Sequence, residues 1–281
     1  MMGVAHAASG VLAATATKPI ADQIGADPAL WYAIWVGGVM LCDLDMHGTH
    51  GARVWGPPTR ALGWAVGKLS GGHRFETHNW KRAPLVVLAL GLACVAALRP
   101  ACDYLAGVAA GLTEGAPLLD LAPHAWARLV DLTAAVKALT AAAFLPVAAV
   151  GLLIGISLRM VGGAVTTGTA GKFTKPLRNP AANLTASIAA VFAAASHGPI
   201  WWVPFVAAAA IPIHCACDSI TEEGIPRARL RGPMPPGRVG LRLFETDSPM
   251  GRACAPLFLL AAALIAWNQA GSPMPNGVTL G

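Results

Sequence analysis

Residues 138–158 read ALTAAAFLPVAAVGLLIGISL and contain no charged side chain. As a helix, about 20 apolar residues are long enough to cross a hydrocarbon core of about 30 Å. Pro146 predicts a kink within this helix, because proline lacks a backbone N–H and clashes with the preceding turn. The stretch predicts a transmembrane helix and a fold built from helices of this kind.

The composition of the whole chain is also typical of an integral membrane protein. Of its 281 residues, 55% are hydrophobic and 12% are charged, whereas soluble domains carry about 25% charged residues. The net charge is +6 and the pI is about 9.2. The basic residues cluster in loops between apolar segments and have few aromatic residues beside them, which favours the positive-inside bias over a nucleic-acid surface.

Further apolar segments surround this stretch on both sides. We predict an all-α, polytopic helical membrane protein with about five to seven membrane segments, forming one domain over residues 1–267 with a flexible tail at 268–281. A retained first helix is favoured over a cleaved signal, because residues 1–17 lack a basic n-region. The predicted segments are residues 1–17, 29–42, 85–98, 138–158, a hairpin over 184–214 broken near His197, and 253–267.

The charge of the loops orients these segments. The loops at 46–82, 159–178 and 222–252 are basic, whereas residues 99–131 are net acidic. Placing the basic loops in the cytoplasm gives about seven crossings, with the N-terminus inside and the C-terminus outside. The prediction is a multi-pass protein of the inner or plasma membrane, with its polar motifs at the cytoplasmic ends of the segments.

One polar stretch, GGHRFETHN at residues 71–79, lies between two very apolar regions. Such polarity beside membrane-like sequence is costly unless something binds it. We interpret it as one wall of a metal site, with His73 and His78 as ligands. The other walls are predicted at Asp43 and Asp45 upstream and at the stretch 214–218 far downstream.

The spacing of these residues limits how they can bind a metal. His214 and Asp218 are four residues apart, so on one helix they share a face. Asp43 and Asp45 are two apart, so only one of them is expected to point inward. A mixed set of histidine and carboxylate ligands suits zinc, manganese or iron.

Each of these residues also has a simpler structural explanation. His6 could be an interfacial residue, Asp43 and Asp45 a helix cap, and His214 with Asp218 a hydrogen-bonded pair. His47 and His50 are weaker ligand candidates, and we expect no ligand role for His124 and His197. The pair Cys215 and Cys217 lacks the C-x-x-C spacing of zinc and redox motifs. Thr77 and Thr221 are expected to orient ligands.

Four motifs occur in an order that resembles a known family. They are Met2-Gly3-x-x-His6, Leu41-Cys42-Asp43-Leu44-Asp45, Gly72-His73-Arg74-x-x-Thr77-His78 and His214-x-x-x-Asp218-x-x-Thr221-x-x-Gly224. With these motifs the chain is similar to the YdjM-like (DUF457) family of membrane-bound metal-dependent hydrolases, and the ligand order is also similar to zinc-dependent phospholipase C and P1-type nucleases. Three features differ from the family pattern: Cys42 replaces proline, Asn79 replaces serine, and no glutamate follows Phe244-Glu245-Thr246.

The residues and the resemblance together predict a metal-dependent hydrolase. One or two divalent ions, zinc or alternatively manganese, would activate water for attack on a phosphoester or lipid-like substrate. Asp45 or Glu76 is the expected general base or orienting group, and Arg74 the expected anion clamp. Membrane lipids are expected partners and nucleic acid is not. The rival prediction is a non-enzymatic protein that binds metal or a partner. The predicted ligands are His6, Asp43, His73, His78, His214 and Asp218.

Overall fold

The computed structural model describes residues 2–46, 49, 54, 56–72, 75–96, 150–158, 201–229, 237–245 and 248–270. This part of the chain is mostly helical, which confirms the all-α class. A two-stranded antiparallel hairpin, β1 (Ile225–Pro226) and β2 (Arg238–Val239), is a local addition. The helices are α1 (Met2–Ala16), α2 (Lys18–Gln23), α3 (Pro28–Val39), α4 (Pro57–Leu69), α5 (Ala83–Ala96), α6 (residues 150–158), α7 (Val203–Ile220) and α8 (Pro249–Gln269).

Helix α3 lies at the centre of the described fold. Its start is defined locally, because the Asp27 carboxylate accepts the backbone N–H of Leu30 and Pro28 occupies the first turn, where a missing N–H costs nothing. Most of its residues from Leu30 onward are buried in a core shared with α1, α2, α6 and α7. The site described below therefore rests on a helix that is covered on several sides.

Two adjacent glycines let the neighbouring helices approach α3 closely. A Cβ atom at Gly37 would collide with the backbone of Leu153 in α6, and one at Gly38 would lie 2.9 Å from the Cβ of Ala210 in α7. Small residues at helix interfaces permit such backbone contact. The end of α3 is thereby held against α7, the helix that carries His214 and Asp218.

Helix α1 packs between α3 and α8. The indole N–H of Trp31 donates to the carbonyl oxygen of Ala14 at 3.1 Å, and the hydroxyl groups of Thr15 and Tyr32 lie 3.0 Å apart. Near the end of α8, Gln269 donates to the carbonyl oxygen of Thr15. These contacts hold the C-terminal half of α1 and leave His6 at the opposite end of the bundle.

The irregular connections gather at that same end. A 3₁₀ turn, Cys42–Asp45, follows α3, and a second one, Glu76–His78, precedes α5. The chain after β2 returns to the C-terminus of α7, where the backbone N–H groups of Leu241 and Leu243 donate to the carbonyl oxygens of Ser219 and Ile220. Residues remote in sequence are therefore brought to one face of the fold.

The predicted membrane segments are found in part. Among the described residues, α7 and α8 are long and apolar enough to cross a bilayer, against the five to seven segments predicted. Helices α1, α3 and α5 are apolar but shorter than 18 residues. Most of residues 138–158, with Pro146, and the predicted break at His197 lie outside the described residues. Helix α8 extends to Gln269, into the predicted tail, of which 271–281 also lie outside.

Candidate metal centre

Four side chains from three elements converge at the polar end of the fold. His214 and Asp218 come from α7, His78 from the turn Glu76–His78, and Asp43 from the turn Cys42–Asp45. The Nε2 atoms of His78 and His214 are 3.1 Å apart. Asp218 Oδ2 lies 3.3 Å from the first of these nitrogens and 3.5 Å from the second. Asp43 Oδ1 lies 4.0 and 3.7 Å from the same two nitrogens.

These distances match the spacing of ligands around one small cation. Zinc binds imidazole nitrogen and carboxylate oxygen at about 2.0–2.1 Å, so neighbouring ligand atoms in a tetrahedral site lie about 3.3 Å apart. The five separations between the four side chains run from 3.1 to 4.0 Å. The described residues therefore contain a buried His/Asp group able to hold a metal ion.

The tautomer of His214 follows from its partner at the end of α3. His214 Nδ1 lies 2.7 Å from the carbonyl oxygen of Val39, which can only accept. Val39 is the last residue of α3, so its carbonyl group has no partner within the helix. Nδ1 must carry the proton, and Nε2 of the neutral ring then presents a lone pair to the centre.

A relay of hydrogen bonds sets the tautomer of His78 in the same sense. The Thr77 hydroxyl donates to Asp45 Oδ2 at 2.6 Å, which uses its single proton. Its oxygen, 3.0 Å from His78 Nδ1, must then accept from that ring. His78 Nε2 is left with a lone pair that points at the lone pair of His214. Two lone pairs this close, beside two carboxylates, repel one another unless a proton or a metal ion lies between them.

His6 lies on the Asp218 side of the centre. Its Nε2 is 3.1 Å from Asp218 Oδ1, and its ring stacks on that of His214 with centroids 4.0 Å apart. His6, His214 and Asp218 form one group of three ligand atoms, and Asp43, His78 and His214 form another. Because the groups share His214, one ion can draw on both, or Asp218 can bridge two ions.

Burial favours the neutral, metal-binding form of His78. His6, His78 and His214 are all at most 1% exposed. Desolvation lowers the pKa of His78 below its ordinary value, although Asp218 opposes the shift. The Asp43 side chain, by contrast, is 20% exposed. Among the described residues, the centre is therefore closed on its histidine side and exposed to water beside Asp43.

The cysteines next to the centre have packing contacts rather than ligand geometry. Burial raises the pKa of the Cys42 thiol well above its usual value, so it remains a thiol. The Cys215 thiol donates to the carbonyl oxygen of His78 at 3.4 Å and so holds the turn against α7. Neither cysteine belongs to the groups of ligand atoms described above.

Among the described residues, the predicted bases Glu76 and Asp45 pair with groups other than the four converging atoms. Glu76 accepts from Arg82 Nη1 at 2.7 Å and from Asn79 Nδ2 at 3.1 Å. Asp45 contacts the centre through Thr77. The predicted ligand His73 and the predicted anion clamp Arg74 lie outside the described residues, as do the weaker candidates His47, His50, His124 and His197.

Two groups in the centre were not predicted for these roles. The carbonyl group of Val39 gave no signal, because it is backbone and is brought to His214 only by the packing of α3 on α7. Asn79 is fully buried and donates to both Glu76 Oε2 and the carbonyl oxygen of Arg229. The signal available in the sequence for this anchoring role was the position of Asn79 directly after the candidate ligand His78.

Comparisons of the chain with known protein families, with curated proteins and with solved structures found no match. The resemblance to the YdjM-like family therefore remains a prediction from the motifs.

Proposed function

We propose that this chain is a membrane-bound metal-dependent hydrolase that acts on a phosphoester, with a lipid-like molecule as the favoured substrate. The observation that supports the proposal is the convergence of two histidine nitrogens and two carboxylate oxygens at ligand spacing. Both histidines have their protons directed away from the centre by neighbouring groups. Such orientation is typical of metal-ligating histidines.

The four ligands differ in burial and in their distances from one another, and this difference favours a catalytic site over a purely structural one. Catalytic zinc sites have three protein ligands and one position open to water, whereas structural sites are closed. His78, His214 and Asp218 are fully buried and mutually close. Asp43 makes the two longest separations, 3.7 and 4.0 Å, and is the one partly exposed member. The open position is therefore assigned to the Asp43 side.

Each residue of the site has a separate role in the proposed reaction. A divalent ion at this centre would lower the pKa of a bound water to near neutrality and polarise the substrate oxygen. Asp43, at the open side, accepts the proton of that water. Asp45 orients His78 through Thr77 and so acts as a positioning residue. Arg74, next to the motif histidine His73, is assigned to the negative charge of the substrate.

A bilayer location is part of the proposal and rests on exposed apolar surface. Only 11% of the most apolar 18-residue stretch of α8 is buried within the fold. Leu257, Leu260 and Trp267 on this helix are each at least half exposed. Contiguous apolar surface of this kind marks contact with a membrane or a partner. With the basic loops it favours a multi-pass protein of the inner or plasma membrane.

A non-enzymatic metal-binding protein is the second candidate. Four donors at tetrahedral spacing also suit a closed structural site, in which Asp43 completes the coordination instead of accepting a proton. The two functions differ in whether water reaches the metal, so substrate turnover separates them.

The test begins with bound metal per chain in detergent-purified protein. We compare the wild type, an Asp43→Ala, His214→Ala double variant, and Asp22→Ala as a control carboxylate that pairs with Lys18 far from the centre. We expect at least about one equivalent of zinc or manganese in the wild type and the control, and none in the double variant.

Phosphodiester and phosphomonoester substrates, soluble and lipid-linked, are then screened against the metal-loaded wild type. Absence of metal after reconstitution with both ions would refute the metal centre. Bound metal with no turnover, together with metal lost from an Asp43→Asn single variant, would favour the structural alternative, in which Asp43 is a ligand.

A further inference from the structure

We infer that the face of the protein around the metal centre is a docking surface for anionic phospholipid headgroups. This surface, called the interfacial rim below, consists of α4 (Pro57–Leu69) and the segment 238–243. The inference rests on the proposed function and deepens it, because it names the negatively charged lipid surface as the partner of the same site.

Helix α4 has the pattern of an interfacial helix. Arg60, Trp64 and Lys68 recur every four residues and share one stripe, and all three are exposed. Leu62 and Leu69, seven residues apart, form a second exposed stripe, at 44% and 88% exposure. No acidic residue lies on this helix. The two stripes lie on different sides of the helix; an exposed stripe with a tryptophan between two cations, and a separate exposed leucine stripe, are typical of amphipathic helices that lie in the headgroup layer.

The segment 238–243 repeats this chemistry on an extended chain. Arg238 and Arg242 alternate with Val239, Leu241 and Leu243, and all five are exposed. The two leucines are each about two-thirds exposed, at 68% and 67%. Such leucines on a loop pinned by backbone hydrogen bonds are costly in water, and they become favourable when they enter a lipid surface.

Both parts of the rim are attached to the elements that carry the metal ligands. In α4, Gly67 packs directly on the carbonyl oxygen of Asp45, in the turn that also holds Asp43. On the other side, Arg242 N–H donates to the carbonyl oxygen of Ser219, the residue after Asp218. The rim thus flanks the metal centre from two directions.

The candidate spans place the rim at a bilayer surface. Segment 238–243 lies in the connection between the end of α7 at Ile220 and the start of α8 at Pro249. If these two helices cross the bilayer, that connection emerges at its surface. The four rim cations then meet lipid phosphates. Three exposed acidic residues, Glu222, Glu223 and Glu245, lie beside segment 238–243, and Glu223 is 3.7 Å from Arg238. Charge complementarity selects an anionic over a zwitterionic lipid surface.

The first test counts lipids bound to the full-length chain in detergent by native mass spectrometry, with phosphatidylglycerol and phosphatidylcholine titrated separately. Each basic residue near a membrane surface contributes about fivefold to binding of anionic lipid. We expect Lys68→Ala to lower the preference for phosphatidylglycerol about fivefold. Lys18→Ala, the matched control on α2, should leave it unchanged. Equal binding of both lipids by the wild type, or equal effects of the two variants, would overturn the inference.

The second test locates the apolar part of the rim in nanodiscs that contain phosphatidylglycerol. Because the chain has nine tryptophans, the signal of Trp64 is the difference between the wild type and Trp64→Phe. We expect lipids brominated on the upper acyl chain to quench this difference signal. A signal that bromolipids do not quench would show that water or a protein partner covers α4, and would refute the assignment.

Metal content measured on the same samples separates the two proposals. Lys68→Ala is expected to keep the metal content of the wild type while it loses lipid preference. A wild type that holds no metal but retains its preference for phosphatidylglycerol would refute the hydrolase proposal alone.

Discussion

Replacing Thr77 with valine isolates the relay that orients His78. The change keeps the shape of the side chain and removes the hydroxyl, which donates to Asp45 at 2.6 Å and accepts from His78 Nδ1 at 3.0 Å. Valine leaves the ring free to rotate or to change tautomer, so Nε2 no longer faces the metal in a fixed orientation. It also removes one donor from the buried Asp45 carboxylate.

The expected losses of zinc affinity and of unfolding free energy follow from these two hydrogen bonds. Loss of an orienting partner of a ligating histidine lowers metal affinity about 10–100-fold, which corresponds to about 1.4–2.7 kcal/mol of binding free energy. The free energy of unfolding of the metal-free protein should fall by about 2–4 kcal/mol, because one of the bonds is to a charged group. Thr77→Ser, which retains the hydroxyl, should bind zinc nearly as tightly as the wild type.

The assay is zinc competition with a chromophoric chelator in detergent, alongside denaturant unfolding. Thr15→Val is the matched control, because Thr15 also makes two hydrogen bonds, to Val11 and Tyr32, far from the centre. The control should lose stability but keep its zinc affinity. Wild-type zinc affinity in Thr77→Val would refute the relay, as would an equal loss of affinity in the Thr15→Val control.

Three other predictions test the packing, the carboxylate assignment and the pH dependence. Gly37→Ala forces a Cβ atom against the carbonyl oxygen of Leu153 and should lower the free energy of unfolding by about 1–3 kcal/mol or more in denaturant titrations. Glu76→Gln breaks the ion pair with Arg82, and zinc competition should show affinity within about fivefold of the wild type, since such pairs contribute about 0–1 kcal/mol. A large loss of zinc affinity would indicate that Glu76 is part of the metal site. Because burial lowers the pKa of His78, the His78 ring of the metal-free protein should take up its proton only below pH of about 6.5; an imidazole NMR titration in which His78 protonates above about 6.5 would contradict it.

The sequence predicted the helical class and the convergence of the polar motifs for separate physical reasons. Long uncharged runs can satisfy their backbone only as helices in an apolar environment, and this argument needs no tertiary contact. The pairing of His214 with Asp218 is equally local, since residues four apart on a helix share a face. The segment 238–243 could not be predicted in this way, because its backbone hydrogen bonds are made with Ser219 and Ile220 at the end of α7.

The choice between Asp43 and Asp45 shows where local reasoning ends. The spacing indicated that only one of them points toward the metal, but not which one. The structure directs Asp43 to the histidine nitrogens and Asp45 to Thr77. Glu76, a candidate base from its position in the motif, is instead paired with Arg82. These outcomes depend on which partner packs beside each carboxylate.

By itself, then, the sequence determined which side chains are available and which of them share a helix face, because composition and spacing act along the chain. Only the tertiary structure decided which histidine nitrogen faces the centre. That choice depends on the carbonyl group of Val39 and the hydroxyl of Thr77. A carbonyl at the end of one helix acquires this role only when another helix packs against it, and nothing in the local sequence of either helix encodes that contact.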